Sequence, residues 1–152
     1  MAKPIIVGSE DDSKKAEEMQ EKLQEKLLIY QILKQQMDNV QNQILLIENA
    51  FLEIENSKQA LTDIKKSKEK DVLIPLGSGC YAKGNVANNR LVLSNIGTGI
   101  MVERNIEAVL QDIEQRKTGL EKQFEELQKN MQMLVGEMNS IASDLEAMKN
   151  DN

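Results

Sequence analysis

At 152 residues, with a formal net charge of −6 and no histidine, the chain presents no basic face for nucleic acid and no imidazole for a metal. Aromatic residues are only 3%, with no Trp, and the remainder is dominated by Leu, Ile, Met, Lys, Glu, Gln and Asn. That is the palette of long helices, not of a compact core. The single Cys80 excludes an intramolecular disulfide, and without histidine there is no Cys–His nucleophile.

Residues 1–12 combine Ala2-Lys3-Pro4 and Gly8 with the acidic run Glu10-Asp11-Asp12, and read as a mobile tail. The run Pro4-Ile5-Ile6-Val7 is short for a signal peptide, and no apolar stretch approaches the roughly 18 residues of a membrane span. We therefore expect a cytoplasmic protein with neither a membrane nor a nucleic acid as partner.

From residue 13 to 66 the apolar residues recur at alternating spacings of three and four. Met19, Leu23, Tyr30, Leu33, Met37, Val40, Ile44, Ile47, Phe51, Ile54 and Leu61 form one seam. A period of 3.5 is the signature of a left-handed coiled coil. Lys26 and Lys58 interrupt the seam, where their long stems can snorkel. Asp12 or Ser13 is placed to cap the start. Leu27 and Leu28 stand off the seam and exceed its needs.

Residues 71–103 change character. Val72-Leu73-Ile74 and Leu91-Val92-Leu93 each lead to a Gly-x-Gly turn, Gly77-Ser78-Gly79 or Gly97-Thr98-Gly99. A second run follows each, Cys80-Tyr81-Ala82 or Ile100-Met101-Val102. The stretches 76–86 and 96–106 are copies of one another, so this is a duplicated β-hairpin module. Cys80 is expected to act as a buried small hydrophobe. Isolated hairpins are marginal in water, and units of this kind from several chains can close into a barrel. The module therefore reads as an assembly hub. Gly79-Cys80-Tyr81-Ala82-Lys83-Gly84 lacks the Gly-Lys-Ser/Thr ending of a phosphate loop, and no ligand cluster stands out. No cofactor, no metal and no catalytic residue are expected.

Residues 104–149 return to the heptad. Ile106, Leu110, Ile113, Leu120, Phe124, Leu127, Met131, Leu134, Met138, Ile141, Leu145 and Met148 keep the spacing, broken only at Lys117. Gly119 and Gly136 each cost about 1 kcal/mol in a helix interior, which tertiary pairing must offset. A helix, a β module and a returning helix give an α+β fold: a long antiparallel coiled coil with two β-hairpins at its closed end. Counting outward from Ile64 near Ile106 places Leu23 near Met148. Met19, Met131, Met133, Met138 and Met148 gather in the outer parts of the arms, where flexible thioethers suit promiscuous apolar contacts. The acidic second arm reads as a solvated face, or as one that keeps such apolar groups soluble.

At Val72-Leu73-Ile74-Pro75-Leu76-Gly77-Ser78-Gly79 and at Ile96-Gly97-Thr98-Gly99 with Val102-Glu103-Arg104, the chain resembles the α class of the prefoldin family in its archaeal form. The resemblance covers most of the chain, and two hairpins fit the α class, whereas the β class has one. Departures are Cys80-Tyr81, where another apolar pair is usual, and a longer acidic N-terminal tail. The resemblance implies an ATP-independent holdase in an α2β4 hexamer with prefoldin β subunits, whose hairpins form a β-barrel body. Its partners are unfolded client polypeptides and a group II chaperonin. The assembly residues it implies are Val72, Leu73, Ile74, Leu76, Cys80 and Tyr81 in the first hairpin. In the second they are Leu91, Val92, Leu93, Ile96, Ile100 and Val102. By position, the client-binding residues at the tips are Met19, Leu23, Leu27 and Leu28 with Met138, Ile141, Leu145 and Met148. The rival reading is a filament-forming, prefoldin-like structural protein.

Overall fold

The computed structural model describes residues 10–68 and 71–150; the tail expected at the N-terminus lies, through residue 9, outside the described residues. In chain order the elements are α1 (Glu10–Lys66), β1 (Asp71–Gly77), β2 (Cys80–Asn85), β3 (Leu91–Asn95), β4 (Met101–Asn105) and α2 (Ile106–Asn150). Two long helices bracket two antiparallel hairpins, the α+β arrangement expected from the pattern. Residues 10–13 are already helical, so neither Asp12 nor Ser13 caps α1.

The second helix begins at Ile106, the first residue of its heptad run, and a local contact marks that start. Asn105 Oδ1 accepts a hydrogen bond from Glu107 N at 3.0 Å, the geometry of an N-cap. The carboxylate of Glu107 then sits in the first turn, where the helix dipole favours it. Ile106 N donates to the Arg90 carbonyl at 2.9 Å, tying the helix start to the foot of β3. The Ile106 side chain is fully buried. At the other junction, Lys65 and Lys66 occupy the last turn of α1, the end that prefers cations.

The chain divides into two compact units. One holds the helical segments up to Ile44 and from Glu126 onward. Its core is Leu33, Val40 and Leu134, with Met37, Ile44, Leu127, Met131, Met138 and Ile141 packed around them. These are the seam residues of the heptad pattern, so 3.5-residue periodicity has become burial. Lys26 of α1 pairs with Asp144 of α2 across this seam.

The other unit runs from Leu45 to Glu125 and contains both hairpins. Its helical part buries Ile47, Ile54 and Ile106, and the rings of Phe51 and Phe124 meet edge to face with centroids 6.1 Å apart. One heptad along from that ring pair, Lys58 and Lys117 occupy the same level of the seam. Each reaches across to the opposite helix: Lys58 Nζ to Glu114 at 2.8 Å and Lys117 Nζ to Glu55 at 2.6 Å. All three lysines that interrupt the apolar pattern thus end on carboxylates of the facing helix. A slip of one heptad would bring Lys58 against Phe124, so these pairs fix the antiparallel register.

The hairpins are two separate two-stranded sheets, β1–β2 and β3–β4. The sequence repeat is kept in the register. Val72 pairs with Gly84 and Leu73 with Lys83; twenty residues on, Val92 pairs with Arg104 and Leu93 with Glu103. Both turns have positive φ at their two central residues, Ser78 and Gly79 or Thr98 and Gly99, which is the type I′ geometry that suits twisted strands. A non-glycine first residue in the left-handed region is uncommon, and the flanking glycines at φ 100° and 124° absorb the rest of the reversal. Pro75 sits within β1, tolerated because every strand of a two-stranded sheet is an edge.

Candidate functional site

Two surfaces stand out, one in each unit. The first is the hairpin surface. Paired residues share a face of a sheet and successive residues alternate. In β1–β2 this puts Val72 and Ile74 with Gly84 and Ala82 on one face, and Leu73 and Pro75 with Lys83 and Tyr81 on the other. Gly84 has a packing role: a Cβ there would come within 2.7 Å of Ile74 Cδ1, so its absence lets the Ile74 side chain lie over β2.

The Leu73 face of the first hairpin is open, and the Val72 face is only half-buried. Leu73 keeps 65% of its surface and its counterpart Leu93 keeps 66%. Ile74, Leu76, Tyr81, Ile96, Ile100 and Val102 are exposed as well, while Val72, Leu91 and Val92 are half-buried. Cys80, expected to be buried, is exposed instead. It is the first residue after a hairpin turn, and a two-stranded sheet with no layer above it has nothing to bury it. Met101 is exposed too and was absent from the assembly set implied by the resemblance. The repeat could have identified it, since twenty positions back stands Tyr81. Large apolar side chains on both faces, with an open edge on every strand, make a surface that water tolerates poorly.

The second surface is a groove between the terminal segments of α1 and α2, within the other unit. It has a volume near 560 Å³ and is lined by Lys15, Ala16, Met19, Gln20, Leu23, Met148 and Lys149. Of the tip residues inferred from position, it gathers Met19, Leu23 and Met148. Leu27 and Leu28 are exposed on α1 but do not line it. Leu145 is half-buried, as are Met138 and Ile141, which pack against the Leu33–Val40–Leu134 core. The lysines of the groove were not legible as a pair in the sequence, because they lie on different helices.

The electrostatics are those of a scaffold. Glu55, Glu107 and Glu114 are held below the usual carboxylate range, first by hydrogen bonds from Lys117, Lys65 and Lys58 respectively. Lys117 is raised by its hydrogen bond to Glu55. These groups form interhelical pairs. Among the described residues, no group of three or more Cys, Asp or Glu side chains is placed to hold a metal ion. No described helix is long and apolar enough to cross a membrane.

Comparison with known proteins agrees with this geometry. A family model described as Prefoldin subunit matches residues 33–151. The chain is 28% identical over 138 residues to a prefoldin subunit alpha of Methanobrevibacter smithii, covering 89% of this chain and 94% of the relative. It is 27% identical over 130 residues to prefoldin subunit alpha 1 of Methanocaldococcus jannaschii, covering 86% and 89%. Among solved structures, a chain of filamentous PFD from Methanocaldococcus jannaschii, seen by cryo-electron microscopy, superposes with a TM-score of 0.64 at 20% identity. It covers 75% of this chain and 95% of that one.

Proposed function

The chain belongs to the prefoldin family, and from that premise we propose that it is a cytoplasmic, ATP-independent holdase subunit. It assembles through its hairpins with prefoldin β subunits into an α2β4 hexamer, captures unfolded polypeptides at the coiled-coil tips and passes them to a group II chaperonin. The observation that carries the reading is the hairpin surface. Among the described residues its outward leucines, Tyr81, Ile96 and Ile100 stay exposed, and no further strand pairs with its edges. Hairpins from several subunits that close into a barrel remove both defects together.

The terminal groove supports the second half of the reading. Burial yields about 25 cal/mol per Å² before association costs, so one tip alone holds a client weakly. Several tips on one body raise avidity by orders of magnitude without new contact chemistry. Opening of the seam adds Leu145, Ile141 and Met138 to the surface on offer.

Native mass spectrometry after co-expression with a β-class prefoldin subunit from the same source tests the assembly. Two copies of this chain with four partners is the expected result. The filament reading draws on the filamentous neighbour and on the same open edges, and predicts a ladder of this chain alone. Client capture is tested by Leu23→Ser with Leu145→Ser in the intact complex. Suppression of client aggregation should weaken, and undiminished suppression would remove the tip assignment.

A further inference from the structure

We propose that the terminal groove prefers apolar polypeptide segments that carry carboxylates beside their apolar side chains. This rests on the tip reading above and adds a charge selectivity to it. The groove combines two features that seldom coincide on so acidic a chain. Its apolar lining is Ala16, Met19, Leu23 and Met148, and among the described residues the charged ones that line it are Lys15 from α1 and Lys149 from α2. Glu17, Glu18, Glu21 and Glu146 belong to the same helical segments, yet none of them lines it.

The nearby seam lysine, Lys26, is committed to Asp144, whereas neither Lys15 nor Lys149 has an ion-pair partner among the described residues. A net charge of −6 disfavours an acidic ligand at long range, but salt screens that repulsion beyond about 10 Å. At contact distance the lining lysines decide. The methionines accommodate many apolar shapes, so the groove stays tolerant of side chain while discriminating by charge. An exposed ion pair is worth a factor of about two to five, so two of them give a preference of about fourfold to twenty-fivefold.

The test uses the purified full chain in the assembly it forms, with fluorescence anisotropy of two labelled peptides. Both carry the same Leu/Ile/Phe core; one is flanked by Asp and Glu, the other by Asn and Gln. The acidic-flanked peptide should bind about fourfold or more tightly at about 0.1 M sodium chloride, where the chain's long-range repulsion is screened, and the ratio should fall toward one near about 1 M. Lys15→Gln with Lys149→Gln should remove the preference, and the exposed Lys34→Gln on α1 should retain it. Equal binding of the two peptides, a preference insensitive to salt, or one that survives the double variant would overturn the proposal while leaving the tip reading in place. Binding of both peptides that is unchanged by Leu23→Ser would instead remove the tip reading, and the charge preference with it.

Discussion

The seam and the hairpins are built from similar aliphatic residues and treat them in opposite ways. In the seam, Leu33, Val40, Ile47, Ile54 and Leu134 find partners on the facing helix and are buried within one chain. In the hairpins, Leu73, Leu76, Leu93, Ile96 and Ile100 find none. The difference follows from the geometry of the elements. A helix confines its apolar residues to one stripe, so a single partner helix covers them all. A strand sends successive residues to opposite faces, so a lone hairpin cannot cover either. The helix pair is therefore stabilised from within, whereas the hairpins leave large apolar side chains exposed.

The largest effect that separates the two regions is expected from Leu73→Lys with Leu93→Lys. A charge at each exposed leucine should dissociate the assembly in sedimentation velocity while the helical circular dichroism of the chain is retained. Loss of helix together with assembly would show that the seam depends on the hairpins, and the contrast would collapse. Next comes Ile106, which lies where the second hairpin meets the seam and is fully buried. Ile106→Ala should cost about 2–5 kcal/mol in chemical denaturation, through lost burial and the cavity left behind.

The duplication offers a finer comparison, since Asn85 and Asn105 occupy equivalent places in the two copies. Asn85 Nδ2 donates to Asp71 Oδ1 at 3.1 Å on the surface, whereas Asn105 caps α2. Asn105→Ala should cost about 1 kcal/mol of stability. Asn85→Ala should change it by less than about 0.5 kcal/mol, as surface substitutions usually do. Equal losses in denaturant titrations would mean that the cap contributes nothing particular to the second helix.

The sequence made much of this readable, because burial in a helix pair is periodic. The heptads named the seam residues, and the repeat located both turns and their pairing. What stayed hidden depends on register between segments far apart in the chain. Lys26, Lys58 and Lys117 were visible as interruptions, but their carboxylate partners, Asp144, Glu114 and Glu55, become neighbours only once the helices are aligned. The same holds for Lys15 and Lys149 at the groove. Cys80 was misjudged because small apolar residues are usually inside, and a single uncovered hairpin has no inside. The cap at the start of α2 is likewise a local contact of Asn105 that periodicity does not record.

The smallest expected effect sharpens the contrast through pH. Glu55, Glu107 and Glu114 have their pKa values lowered by lysine hydrogen bonds in the helix pair. A depressed carboxylate pKa contributes stability that is fully present above the ordinary value of 4.5 and is lost as the pH falls through the lowered one. Lys117 acts on the other side: its contribution persists below 10.5 and disappears as the pH rises through its raised pKa. The melting temperature of the helices should therefore decline between about pH 5 and about pH 3. Glu55→Gln with Glu114→Gln should flatten that decline, and high salt should too, since these pairs are exposed. The large side chains that the hairpins expose are chiefly apolar, so an assembly held through them should respond to acid less than the helix register does. A double variant whose melting temperature falls with acid as steeply as the parent's would assign the acid sensitivity elsewhere and leave the interhelical pairs a role in register alone.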